Sequence, residues 1–114
     1  MSGDIPSAKL ILLKDIQKCK VGDSVRVVGI WCNYDAQRNI ATIEYDGVNV
    51  LINMANAEVS DKANEGDLVQ VIGEIWNMAR GITTINARIF RCENTLNMDL
   101  YQFVVKLRDK TFLN

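Results

Sequence analysis

Few residues in this 114-residue chain can do covalent chemistry. Histidine is absent, which removes Ser-His-Asp and Cys-His nucleophilic catalysis and the commonest general acid–base at neutral pH. The three cysteines, Cys19, Cys32 and Cys92, are an odd number without C-x-x-C spacing. Two of them fall inside apolar strand patterns, so they are expected as inert thiols that pack like small hydrophobes. A zinc site needs clustered thiolate and imidazole ligands, which this sequence does not offer, and no metal or other cofactor is expected. Glu44, Asp46 and Glu74 supply carboxylates, but a chain with 14 acidic residues brings such groups together by chance. There is no glycine-rich phosphate loop. A binding protein is expected, not an enzyme.

The residues better suited to function are aromatic and basic. Trp31 and Trp76, with Tyr34 and Tyr45 nearby, can form a stacking platform for unpaired bases, each worth ~1–3 kcal/mol. Arg26, Arg38, Arg80, Arg88 and Arg91 can track phosphates along the same side. Packing in the core and rim is the commoner role for such aromatics, and solvated surface for scattered arginines. The formal net charge of −1 and pI near 5.3 lack the basic excess of a self-sufficient nucleic-acid binder. Any contact with nucleic acid is therefore weak or shared with a partner.

The elements that position these residues are announced by an internal echo. Gly22-Asp23-Ser24-Val25-Arg26-Val27-Val28-Gly29-Ile30-Trp31 returns 44 residues later as Gly66-Asp67-Leu68-Val69-Gln70-Val71-Ile72-Gly73-Glu74-Ile75-Trp76. Two copies are too few for a solenoid. They read as two similar strands of one barrel, each opening on a Gly-Asp turn, ending on a tryptophan and carrying a mid-strand glycine that permits a sharp bend. A loop over Asn33–Asn39 follows the first. Ile40–Tyr45 and Val48–Ile52 then flank Asp46-Gly47, a two-residue type I′ hairpin. Met54–Asn64 reads as a short helix or an irregular crossover, and Asn77–Gly81 as a turn. Ile82–Cys92 is the fifth strand, with Thr83, Ile85, Ala87 and Ile89 on one face. Strand, hairpin, crossover, strand, strand is the order of an all-β, five-stranded OB-fold barrel, expected over about residues 8–93 of a single domain spanning 1–114.

The period then changes. Leu96, Leu100, Phe103, Val104 and Leu107 fall on one stripe of an α-helix, expected over about 97–110 and appended to the barrel. Asn97 is a plausible N-cap with Asp99 in the first turn, and Lys106, Arg108 and Lys110 stand near the other end, all with the sign the helix dipole favours. Such a helix can simply plug one end of its own barrel, but a small barrel has limited use for so much further apolar surface, so the stripe is expected to meet a partner. No apolar run approaches the ~18 residues that span a bilayer, and no signal-peptide pattern is present; the chain is expected to be soluble and intracellular.

The segment Ser7-Ala8-Lys9-Leu10-Ile11, followed by Ile16, Cys19, Lys20 and the strand from Gly22 to Gly29, resembles the opening of the Ten (Ten-one) family, the smallest subunits of the telomere-capping Stn–Ten and CST complexes. The likeness continues through Cys32-Asn33-Tyr34-Asp35, Gly66, Val71-Ile72-Gly73-Glu74 and Ala87-Arg88-Ile89, and closes on Leu96-Asn97-Met98-Asp99-Leu100. It departs where the family often has glycine and proline before the last helix and this chain has Thr95 and Asp99; the Asp46-Gly47 hairpin is also shorter than in some members. The resemblance implies pairing with the first OB domain of an Stn-type subunit, through the last helix and adjacent barrel surface. Leu100, Phe103, Val104 and Leu107 would then face the partner, with Met98 and Tyr101 at the margin. It further implies a nuclear location at chromosome ends, indirect association with the third, large CST subunit, and a supporting part in single-stranded telomeric DNA binding, capping and replication. Trp31, Tyr34, Arg38, Trp76, Arg80 and Arg88 are the residues expected to make weak DNA contact. The small subunit of replication protein A, with the same fold and helix, and an autonomous oligonucleotide-binding OB module are the alternatives.

Overall fold

A type II turn with glycine at its third position starts both long strands of the echo, and the two turns close on the same pair of hydrogen bonds. The Asp23 N–H donates to the Lys20 carbonyl at 3.0 Å while the Lys20 N–H donates to Asp23 Oδ2 at 2.9 Å. Asn64 and Asp67 repeat both bonds at 2.9 and 2.8 Å. Gly22 (φ +96°) and Gly66 (φ +93°) occupy the left-handed position that this turn reserves for residues without Cβ. The computed structural model describes residues 8–59 and 62–92.

Among the described residues seven strands follow one another: β1 (Lys9–Leu10), β2 (Ser24–Asp35), β3 (Ile40–Tyr45), β4 (Val48–Asn53), β5 (Glu58–Val59), β6 (Leu68–Asn77) and β7 (Thr84–Cys92). The five long ones close into a ring. β2 pairs antiparallel with β3 and β6, β3 with β4, and β6 with β7; β4 and β7 run parallel and complete the circle. The two-residue strands finish the edges, β1 beside the first half of β2 and β5 beside the second half of β7, both parallel. A closed ring of this connectivity is the OB barrel that the order of elements predicts.

Inward positions alternate as a strand requires. Val25, Val27, Ile43, Val50, Ile52, Val69, Val71 and Ile85 are fully buried. A 3-10 helix, Leu13–Lys18, sends Leu13 and Ile16 into one end of this core. The outward Val28 and Leu68 are also buried, under Leu12, where the segment after β1 lies over the outside of the β2–β6 ladder.

The two mid-strand glycines face inward, and their roles differ. A Cβ at Gly73 would stand 2.1 Å from the Asn86 carbonyl oxygen, a backbone atom that cannot move aside. At Gly29 it would press the Leu13 and Ile43 side chains at 3.0 and 3.2 Å. The close approach at Gly73 coincides with a bulge, because Ile72 pairs with Ile89 and Gly73 with Ala87, leaving Arg88 unpaired.

That bulge corrects one expectation. Thr83, Ile85 and Ala87 do face inward, but the extra residue at Arg88 reverses the alternation, so Phe90 takes the core position and Ile89 is only half-buried. A second bulge, at Cys32, carries β2 on to Asp35, so the expected loop Asn33–Asn39 begins three residues late. Asp35 Oδ1 then accepts the N–H groups of Gln37 (3.0 Å) and Arg38 (3.3 Å) and closes the remaining turn. The crossover after β4 contains β5 and no helix among its described residues. Asp46 (φ +54°) and Gly47 (φ +83°) form the expected hairpin turn. The helix expected over 97–110, and with it Met98, Leu100, Tyr101, Phe103, Val104 and Leu107, lies outside the described residues.

Candidate nucleic-acid and partner surfaces

The two tryptophans do not occupy equivalent places. An offset of 44 residues matches Trp31 to Ile75, and Trp76 to Cys32. The hydrogen bonds show the same equivalence: the Trp31 N–H donates to the Asp67 carbonyl and the Ile75 N–H to that of Asp23, while Gly66 and Gly22 donate to Trp31 and Ile75 in return. One residue of difference on a strand changes the face. Trp31 points into the barrel and is 8% exposed; Trp76, unpaired beside a register shift, points out and is 56% exposed.

The residues expected to contact nucleic acid therefore fall into three groups. At one end of the β2–β6 ladder, the Trp31 ring stands 5.0 Å from that of Phe90 and 6.0 Å from that of Tyr34. The Tyr34 hydroxyl donates to Asn39 Oδ1, which fixes an otherwise exposed ring. These side chains, with Met54 and the crossover residues Lys62, Ala63 and Asn64, line a cavity of about 380 Å³. Arg38 is close by in the β2–β3 turn, held loosely by Asp35 at 3.8 Å.

Trp76 marks the opposite end. It shares that end with Arg80, which adopts a left-handed conformation (φ +58°) in the 3-10 turn Ala79–Gly81, and with the exposed Ile82. Gln17 Nε2 ties this turn to the Leu13–Lys18 helix through the Gly81 carbonyl and Thr83 Oγ1, both at 3.2 Å. Arg88 is spent on the barrel wall, beside the Ser24–Glu74 rung that ends the β2–β6 ladder near Trp76. Its guanidinium is paired with Glu74 and donates from Nη2 to Ser24 Oγ at 3.1 Å, on the outer wall of β2, β6 and β7. Arg26 and Arg91 are exposed on strands of the same wall, whereas Arg38 and Arg80 stand in turns at opposite ends of the barrel.

Sequence reasoning missed Phe90, Met54, Asn39, Lys62 and Asn64 as companions of Tyr34. Phe90 lies off the alternation that the fifth strand shows up to its bulge, and the crossover residues carry no pattern. Among the described residues no three His, Cys, Asp or Glu side chains are grouped to hold a metal ion. No described helix is long and apolar enough to cross a membrane. The thiols of Cys19 and Cys32 are both pushed above the ordinary value, chiefly by burial, with Asp23 acting on the first and Glu44 on the second.

The profile of a family described as a telomere-capping, CST complex subunit matches residues 4–114, nearly the entire chain. The chain belongs to that family. The match extends past β7 and so takes in the residues of the apolar stripe as well as the barrel. Solved structures agree on the fold of this telomere-capping subunit. A chain of the S. pombe Stn1–Ten1 complex is 22% identical with a TM-score of 0.77, covering 92% of this chain and 94% of that one. Telomere capping protein Ten1 of the same organism is also 22% identical, with a TM-score of 0.76 and 91% and 99% covered. U. maydis replication protein A bound to single-stranded DNA gives 24% identity and a TM-score of 0.61, with 88% and 87% covered. No curated protein sequence matches the chain at a significant level.

Proposed function

We propose that this telomere-capping subunit is the small member of a chromosome-end protection complex, pairing with an Stn-type OB-fold subunit and supporting that complex's hold on single-stranded telomeric DNA. The observation that carries the reading is the family match over residues 4–114, which includes the C-terminal stripe together with the barrel. Leu100, Phe103, Val104 and Leu107 bury against the partner, with Met98 and Tyr101 at the rim. The barrel itself contributes a minor share of DNA contact, because a net charge of −1 cannot supply the phosphate attraction alone. Tyr34, Arg38, Trp76 and Arg80 have the exposure for that contact. Trp31 acts from beneath as support for Tyr34, and Arg88 is committed to Glu74. The third, large subunit is reached through the Stn-type partner. The complex works in the nucleus at telomeres, in capping and replication, and the subunit binds without catalysing a reaction.

Co-expression with the Stn-type subunit from the same source, followed by sizing, tests this. A one-to-one complex that is lost when Phe103 and Leu107 become Asp supports it. The likeness to replication protein A favours one other reading, the small subunit of a general single-strand-binding complex. Pairing with the middle subunit of replication protein A, and not with the Stn-type protein, would move the chain there. A monodisperse monomer with high affinity for an oligonucleotide would instead make it an autonomous module.

A further inference from the structure

The cavity at the β2–β3 end combines an aromatic wall with hydrogen-bonding edges. Tyr34 is 45% exposed, yet its ring is held from two sides, by the Trp31 ring behind it and by its hydroxyl bond to Asn39. An aromatic side chain fixed in this way loses little freedom when a flat ligand stacks on it. Asn39 spends its carbonyl oxygen on Tyr34, which leaves its NH₂ donors for another group. Asn64 adds a second side-chain amide to the lining and Lys62 a cation, and no carboxylate is among the described lining residues. The Cys92 thiol donates to the Lys62 carbonyl at 3.3 Å and ties this stretch of crossover to β7.

We propose that this cavity receives one unstacked base of a single-stranded nucleic acid, stacked on Tyr34, with its polar edge on the amides of Asn39 and Asn64 and an adjoining phosphate on Lys62. The proposal rests on the DNA-supporting part of the function above and gives it a place. A base has a flat apolar face and an edge of donors and acceptors, which are the two things this lining offers. An apolar side chain from a partner protein would fill the space but leave the amides and the ammonium without partners. The site takes in crossover residues, on a different part of the barrel from Trp76 and Arg80. A strand reaching both ends would cross the barrel between the β2–β3 and β6–β7 turns.

The test uses the full chain paired with its Stn-type partner and a single-stranded telomeric oligonucleotide carrying 5-iodouracil in place of one thymine, moved position by position. Ultraviolet cross-linking with mass spectrometry is expected to place an adduct on Tyr34. Tyr34→Ala is expected to weaken binding about 5- to 100-fold, and Tyr34→Phe, which keeps the stacking face but loses the hydroxyl bond to Asn39, to weaken it clearly less. Lys62→Ala, on an exposed side chain that leaves the fold intact, is expected to lower the salt dependence of log K by about one phosphate contact. If Tyr34→Ala disturbs pairing with the partner, Lys62→Ala and Asn64→Ala decide. Wild-type affinity in these variants, with adducts only elsewhere, overturns the cavity and leaves the DNA reading standing. A wild-type complex that binds no oligonucleotide overturns both. Cross-links from Tyr34 to the partner protein in the absence of DNA would make the cavity a protein-docking site and overturn it too.

Discussion

Single residues divide sharply by which side of the barrel wall they occupy. Trp31→Ala removes a buried ring packed on Phe90 and is expected to cost about 3–5 kcal/mol. Trp76→Ala removes an exposed ring and is expected to stay within about 0.5 kcal/mol. Urea titration of both variants checks the difference, and equal costs would contradict the one-residue offset between the two copies. Gly73→Ala forces a methyl group onto the Asn86 carbonyl and is expected to cost about 3 kcal/mol or to prevent folding. Gly22→Ala, where only the left-handed conformation is at stake, is expected to cost about 1–2 kcal/mol by the same titration. Cys19 links stability to pH. Its folded thiol is raised above 9.0, so its contribution is complete below the ordinary thiol value and is lost as pH rises through that value towards the folded one. The urea midpoint is expected to fall between about pH 8 and pH 10, and to fall less in Cys19→Ala.

The elements owe their positions to turns and bulges more than to strand propensity. Asp23 and Asp67 make the same carboxylate-to-N–H bond in two copies of one turn, at 2.9 and 2.8 Å. Asp23→Ala and Asp67→Ala are therefore expected to destabilise alike, by about 1 kcal/mol each. Thermal melts check this, and a cost confined to one copy would show that the turns are not equivalent in energy. The turns were legible because Gly-Asp and Asp-Gly state their backbone demands locally. The bulges at Cys32 and Arg88 were not, because a bulge is defined by the strand across from it. Nothing in Arg88-Ile89-Phe90 shows that Gly73 lets the facing backbone approach closely enough to insert a residue. The error in the fifth strand, with Ile89 expected on the same face as Thr83, Ile85 and Ala87, follows from that.

For the whole molecule, ring closure is the weak step. The parallel seam between β4 and β7 pairs only Leu51, Ile52 and Asn53, whereas β2 and β6 pair from Ser24 to Ile30. Opening the seam breaks few hydrogen bonds, so native-state hydrogen exchange is expected to show lower protection at Leu51 and Asn53 than at Val25, Val27 and Val71. Uniform protection around the ring would indicate that the barrel opens only by global unfolding.

The sequence by itself determined the strand order, the paired Gly-Asp turns, the Asp46-Gly47 hairpin and the family, because alternation, turn chemistry and a likeness spread along the chain are all local or additive signals. It also bounded the function: without histidine or clustered cysteines, and with so little net charge, a binding subunit that leans on a partner is the natural reading. Only the tertiary structure decided which aromatic faces outward and which arginine is already spent. Those outcomes depend on the register between strands far apart in the chain, where a shift of one residue exchanges the inside of the barrel for the outside. Tyr34, Asn39, Lys62 and Asn64 share a cavity for the same reason: the β2–β3 turn and the crossover meet only once the ring has closed.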